Sequence, residues 1–122
     1  MTSLTVRSLA EATKVPASEA RVTVVQEGAA PILLLRRSFD ERAQGLLELG
    51  AYVEREIFVP PNAVIAGKGT VVKGKVRIGE GVVLYNCKIE MSKGTLVIAP
   101  NLTLREYELA GVGDMKISSP MA

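Results

Sequence analysis

Two pairs of carboxylates are the first places in this chain where acid–base chemistry could occur. Glu54 and Glu56 lie two residues apart, as do Glu106 and Glu108. On a strand the members of each pair would share a face, where one could act as an acid and the other as a base. Paired surface carboxylates are much more commonly solvated side chains, so we predict no catalytic residues from them.

The absence of histidine is the strongest chemical statement that the composition makes. Histidine is the side chain best suited to move protons near neutral pH, and it is the commonest metal ligand. Without it, Ser-His-Asp and Cys-His catalysis and His-ligated zinc are excluded. Cys87 is the only cysteine, and we interpret it as a small buried hydrophobe. We therefore expect no enzyme, no cofactor and no metal site.

Basic residues are concentrated in the second half of the chain. Residues 61–104 contain six Lys or Arg and two Glu, a local balance of +4, whereas the rest of the chain sums to −2. One interpretation is the solvated face of an alternating structure. The other is a weak anion-binding stripe, whose candidates are Lys68, Lys73, Lys75, Arg77 and Lys88.

Apolar residues in the same region recur every six positions. Val72, Ile78 and Leu84 are in register, and Val76 and Val82 form a second series with Thr70 one step earlier. A sequence repeat of this length is typical of a parallel β-helix, in which each coil buries its inner face against its neighbours. Glycines would make the corners, where φ is often positive. We predict a mainly β fold, with a single-stranded parallel β-solenoid over residues 58–110.

The first half of the chain has a different pattern, and we predict that residues 1–57 form a small α+β cap. Residues 21–26 and 31–35 predict a β-hairpin. Ser38 and Glu41 match a capping box, which predicts a helix that ends near Gly50. A helix-turn-helix over residues 9–22 is a weaker interpretation. Residues 111–122 are predicted to be a tail.

The bulk composition is that of a small globular protein with an aliphatic core. Of the 122 residues 48% are apolar, with two Phe, three Tyr and no Trp. No stretch is long and apolar enough to cross a membrane, and no signal peptide pattern is present. We expect a soluble, cytoplasmic protein without a membrane partner. The scarcity of Asn and Gln favours a heat-adapted source.

The segment Val72-Lys-Gly-Lys-Val-Arg-Ile-Gly-Glu-Gly-Val-Val resembles two broad families. One is the hexapeptide-repeat transferases, whose left-handed β-helix trimers carry acyl groups or cap sugar nucleotidylyltransferases. The other is the bactofilins, polymer-forming cytoskeletal proteins with a right-handed parallel β-helix. The resemblance covers residues 58–104 and implies architecture only, since the acyltransferases typically use a His that this chain lacks.

Three functions are compatible with this sequence. The first is a non-catalytic β-solenoid assembly or scaffold module that self-associates, because the end coils of a short solenoid need a cover. The second is a ligand-binding or regulatory subunit related to hexapeptide proteins, with an anionic ligand on the basic stripe. The third is a nucleic-acid-binding protein, against which the scarcity of aromatic residues argues. We favour the first, with a homo-oligomer as the expected state.

Overall fold

The structure is a computed structural model that describes residues 3–118. It is mainly β, with one short helix among the described residues. The elements in chain order are β1 (Ser3–Val6), α1 (Leu9–Ala12), β2 (Arg21–Val24), β3 (Ile32–Phe39), β4 (Arg42–Glu48), β5 (Tyr52–Val53), β6 (Val64–Ala66), β7 (Val71–Ile78), β8 (Val83–Tyr85), β9 (Lys88–Ile98), β10 (Thr103–Arg105), β11 (Glu108–Val112) and β12 (Met115–Ile117).

The strands form two sheets whose parallel part is a β-solenoid, as the six-residue repeat predicted. The first sheet has the order β1-β2-β3-β4-β6-β8-β10, and the second has the order β11-β9-β7-β5 with β12 also paired to β9. From β4 onward every pairing is parallel. The parallel stack includes β4 and β5, which precede residue 58, and β12, which follows residue 110.

The stacked coils have a nearly constant length. Val64 pairs with Val83, 19 residues later, and Val83 pairs with Thr103, 20 residues later (83 − 64 and 103 − 83). Each coil has three sides, because β7 and β9 bend in the middle and β11 and β12 pair with different halves of β9. We call residues 44–62 the first coil and residues 102–118 the last coil.

The interior of the coils is an aliphatic core. It contains all five members of the two predicted series, Val72, Ile78, Leu84, Val76 and Val82, and Thr70 is fully buried beside them. One step of six residues therefore corresponds to one side of the triangular coil. Large rings are absent from the middle of this core because successive coils are only about 4.8 Å apart.

A second core covers the outer surface of the first sheet. Leu46, Val64 and Val83 point away from the coil interior and are buried against the segment that contains α1. Strands buried on both faces are expected to be continuously apolar, and residues 63–66 and 82–84 are all buried without a break. We call residues 3–39 the N-terminal segment; it covers a side of the solenoid and also lengthens the first sheet.

The N-terminal hairpin is confirmed, and the helix predicted from Ser38 is wrong. β2 and β3 are antiparallel, and β3 continues through Ser38 into a tight turn and β4. Asp40 and Glu41 both have positive φ, 51° and 63°, so this turn has the two-residue form that suits the twist of a hairpin. The helix-turn-helix is also wrong, since β2 stands where its second helix would be.

The only helix of the described residues begins earlier in the chain. Ser8 accepts a hydrogen bond from the Glu11 N–H at 3.1 Å, and the Glu11 side chain accepts one from the Arg7 N–H. β12 lies within the predicted tail and pairs with β9, whereas residues 119–122 of that tail lie outside the described residues. Residues 1–2 of the predicted cap also lie outside them.

Candidate functional site

The last coil exposes an apolar interior that earlier coils bury. Leu104 stacks on Leu84, and Leu109 stacks on Ile89; the lower member of each pair is fully buried and the upper one is only partly buried. The half-buried interior side chains of this coil are Leu102, Leu104, Tyr107, Leu109 and Ile117. At the corner beside them Val112 is 74% exposed. The interior side chains at this end are therefore partly exposed to solvent, and a further coil stacked on them would bury them.

The same coil presents unpaired strand edges. β10, β11 and β12 each pair on one side only, and no strand within residues 3–118 pairs with their other side. In a parallel ladder the backbone groups of alternate residues point to opposite neighbours. The Lys88 N–H donates to the Tyr107 carbonyl. The backbone N–H and C=O groups of Tyr107 and Leu109 therefore point towards β9. Glu108 and Ala110 consequently direct their N–H and C=O groups outward. We call these three free strand sides the open edge.

Charges around the open edge have both signs. Arg105 and Lys116 are positive, and Glu106, Glu108 and Asp114 are negative. Two of these side chains also have partners inside the molecule. The Arg105 guanidinium lies 5.6 Å from the Tyr85 ring centroid, and Asp114 accepts from the Thr95 N–H at 2.9 Å. A surface of mixed charge can meet a second copy of itself without strong repulsion.

Two arginines occupy the opposite end of the solenoid, and their contacts are architectural. Arg36 donates to the carbonyl oxygens of Pro16, Glu19, Gln44 and Pro61 at 2.7–2.9 Å. These bonds tie the N-terminal segment to the first coil. Burial lowers the pKa of the Arg36 guanidinium, and the charge of Glu19 partly offsets that effect.

Arg37 stabilises the beginning of the second sheet. Its guanidinium donates to the carbonyls of Glu54 and Arg55, at 2.8 and 2.7 Å, and lies 4.7 Å from the Phe39 ring centroid. Burial lowers the pKa of Arg37, and the charge of Glu56 opposes the shift. The carbonyl groups of the backbone that follows β5 thus accept hydrogen bonds from a side chain of β3.

Polar side chains of the first coil hold the corner glycines of the second. The backbone N–H of Gly67 donates to Glu48, and that of Gly74 donates to Glu54. The Gly81 N–H donates to Asn62 at 3.0 Å. All three glycines have positive φ, which turns their N–H away from the regular ladder. Glu54, one of the candidate acid–base residues, is therefore engaged in holding a corner.

The second carboxylate pair is divided by the fold. Glu106 adopts a positive φ of 51° at a corner, and Glu108 lies on β11. The corner position corresponds to Gly67 and Asn86 in the two preceding coils, both of which also have positive φ. The backbone turn between Glu106 and Glu108 removes the shared strand face on which the acid–base prediction depended.

The five residues of the predicted anion stripe lie on different sides of the coil. Lys68 is exposed at the corner between β6 and β7, and Lys75 and Arg77 lie on the half of β7 that follows the bend at Gly74. Lys73 and Lys88 lie on the strand halves before the bend, paired in register with Glu90 and Glu108.

Neighbouring carboxylates weaken the positive potential around the stripe. The Lys73 Nζ is 3.9 Å from a Glu90 carboxylate oxygen, and Lys88 lines a depression of about 430 Å³ together with Glu90 and Glu108. The anion-binding stripe, and with it the ligand-binding and nucleic-acid alternatives, therefore stays a prediction.

Cys87 and the other potential ligands show no reactive arrangement among the described residues. The Cys87 side chain is fully buried at a corner of the core, and its Sγ lies 3.3 Å from the Leu104 carbonyl oxygen. Within residues 3–118 no group of three His, Cys, Asp or Glu side chains could hold a metal ion. None of the helices there is long and apolar enough to cross a membrane.

No family model matches this chain, and neither the curated proteins nor the solved structures include a match. The resemblance to hexapeptide-repeat proteins and bactofilins is thus confirmed for the solenoid architecture but not as membership of either family. The residues of the open edge were not singled out from the sequence. A usable signal existed, because the outer positions change from Val83 in β8 to Thr103 in β10.

Proposed function

We propose that this chain is a non-catalytic assembly module whose last coil binds a second copy of the chain. The observation that carries the proposal is the open edge, where three strand sides and a half-buried apolar interior have no partner within residues 3–118. Solenoids in general need a cover at each end, either a polar capping repeat or another molecule. The last coil retains the apolar interior of the coils beneath it, which is not the pattern of a polar cap.

The free energy available at such an end is large for a small protein. Burying roughly 300 Å² of apolar surface contributes about 7 kcal/mol at ~25 cal/mol/Å². The loss of translational and rotational freedom on association offsets several kcal/mol of this gain. Strand pairing adds hydrogen bonds that satisfy the outward groups of β10, β11 and β12. A micromolar Kd corresponds to about 8 kcal/mol, so association of that strength needs both the apolar contact and the strand hydrogen bonds.

The oligomeric state over a roughly thousand-fold range of concentration tests the proposal. Light scattering coupled to size exclusion, supported by sedimentation velocity, should show a mass above the 13.0 kDa of one chain. Dilution should lower that mass. A single chain at every concentration would refute the proposal.

Amide hydrogen exchange can locate the contact on the same samples. Protection of β10, β11 and β12 should rise with concentration, because their outward N–H groups become paired. The amides of β6, which pair within the chain on both sides, serve as the internal control. Protection that rises elsewhere, with β10 to β12 unchanged, would place the contact on another surface.

A further inference from the structure

We infer that this association joins two copies through their last coils about a twofold axis and stops at two. The inference rests on the function proposed above. It adds the symmetry of the contact, the strand at its centre and the reason why growth ends. Each of these follows from a difference between the two ends of the solenoid.

The N-terminal end prevents the solenoid from continuing into a second copy. A head-to-tail neighbour would have to place its β10 beside β4, since that is where the first side of the coil ends. β3 already occupies this position, and β2 and β1 extend the sheet further. The three strands of a coil are covalently linked, so a neighbour excluded from one side cannot dock on the other two.

The last coil, in contrast, can meet a copy of itself. A twofold axis perpendicular to the solenoid reverses the winding direction, so strands that meet across it run antiparallel. This makes an isologous contact, in which the same surface serves both partners and the assembly closes. Antiparallel pairing also uses the outward backbone groups of both copies in directly opposed pairs.

The residues of β11 favour an axis at Ala110. Pairing centred there puts Ala110 opposite its counterpart and Glu108 opposite Val112 of the second copy. Leu109 then faces Gly111 of the second copy, so a large interior side chain meets the residue with no side chain. Centring on β12 instead would put Lys116 opposite Lys116, and like charges directly opposite are destabilising.

The N-terminal end is a poor candidate for the same kind of contact. Its exposed apolar residues include Leu33 and Leu35, which lie on β3 beside Thr23 and Arg21 of β2, and Leu49, Tyr52 and Phe58 of the first coil. Arg37 and Arg55 lie near the same end around Phe39. A twofold contact there would bring these arginines towards their counterparts, and β3 already fills the strand position beside β4.

Proline substitution of Ala110 should weaken the contact between two copies without disturbing the fold of either chain. The Ala110 N–H points away from β9, so Ala110→Pro removes no ladder bond within the chain but removes one at the proposed centre. Thr5→Pro is the matched control. The Val25 N–H donates to Val6, so the Thr5 N–H also points outward, at the opposite edge of the first sheet. Ala110→Pro should weaken dimerisation at least about 100-fold, and Thr5→Pro should leave it unchanged.

A cysteine at the same position tests the twofold axis directly. Opposed residues of a hydrogen-bonded antiparallel pair have Cα atoms about 5.5 Å apart, which suits a disulfide. Ala110→Cys should form a covalent dimer on mild oxidation, with no larger species. Thr5→Cys should not, and the unmodified chain should not either, because Cys87 is buried.

The outcomes separate this inference from the proposed function. A discrete dimer that Ala110→Pro dissociates and Ala110→Cys cross-links supports both. Filaments or a mass that keeps growing with concentration would overturn the closed dimer while leaving self-association standing. A dimer that is sensitive to Thr5→Pro and not to Ala110→Pro would overturn the contact proposed here. A monomer at every concentration, as expected if the chain covers its own edge, would defeat both.

Discussion

At the first coil β3 continues the first sheet beyond β4 and β5 ends the second sheet, whereas the last coil ends with three strand sides free among residues 3–118. At the first coil β3 continues the sheet, a second core covers its outer face, and Arg36 binds four backbone carbonyls. At the last coil the equivalent outer positions are polar and the interior is half-exposed. A repetitive fold can thus have chemically different ends, and the end that lacks a cover is the one to examine for a partner.

Substitutions at equivalent positions of the two regions can test this comparison. Val64 and Thr103 occupy the same column on the outer face of the first sheet, two coils apart. Val64 is fully buried and Thr103 is exposed. Val64→Asp should lower the free energy of unfolding by about 3–5 kcal/mol, because an unpaired charge would be buried.

Thr103→Asp is the control and should change stability by no more than about 0.5 kcal/mol. Urea titration at the lowest practical concentration measures both, since dilution removes any contribution from association. A well-folded Val64→Asp variant would show that the N-terminal segment does not cover this face of the sheet.

Corner glycines give the second test. Gly74 and Gly113 stand at the same corner in an inner and the last coil, with φ of 95° and 99°. A Cβ on Gly74 would overlap the Met91 carbonyl, whereas one on Gly113 would meet nothing within 4 Å. Gly74→Ala should cost about 3 kcal/mol, the sum of left-handed strain and backbone displacement.

Gly113→Ala should cost about 1 kcal/mol from left-handed strain alone. Thermal unfolding of the two variants beside the parent protein measures the difference. Equal losses would mean that the inner corner can relax as freely as the outer one, and that stacking does not constrain it.

Arginines at the two ends provide the smallest expected effect. Arg36→Met keeps most of the aliphatic volume but leaves the carbonyls of Pro16, Glu19, Gln44 and Pro61 without their shared donor. We expect a loss of about 2 kcal/mol, since hydrogen bonds to charged groups contribute more than neutral ones and part of this site is open to water.

Arg105→Met in the last coil loses one exposed contact with Tyr85 and should cost about 0.5 kcal/mol. Denaturant unfolding compares the two, and amide exchange should show that Arg36→Met loosens residues 3–20 first. A loss confined to the coils, with the N-terminal segment unaffected, would contradict the role given to Arg36.

The predicted helix from Ser38 shows how a local signal can be overridden. The Ser38 and Glu41 spacing matches a capping box, yet both ends of the segment are drawn into the first sheet, where Phe39 pairs with Arg42. The usual sequence signal of such a hairpin turn is Asn-Gly. This turn has Asp40-Glu41 instead, so the sequence does not indicate a hairpin here. The same spacing at Ser8 and Glu11 does cap a helix, because there the chain lies outside the sheet.

The sequence predicts that a short solenoid has an end that needs a cover, but it does not predict which end that is. A short solenoid must have ends, so the need for a cover follows from the repeat alone. Which end is covered depends on where residues 3–40 fold back, and those residues carry no repeat. The apolar runs at 63–66 and 82–84 did carry information, since strands with both faces apolar need a second layer.

The sequence by itself determined the coiled architecture, because a period of six apolar residues with glycine at the corners buries its inner face only when coils stack. It also determined which chemistry is excluded, because a chain without histidine cannot supply that proton carrier. Only the tertiary structure decided that the lysines lie on different sides, that the N-terminal segment covers the first sheet and that no part of residues 3–118 covers the last coil. These properties depend on contacts between residues far apart in the chain, which no local spacing specifies.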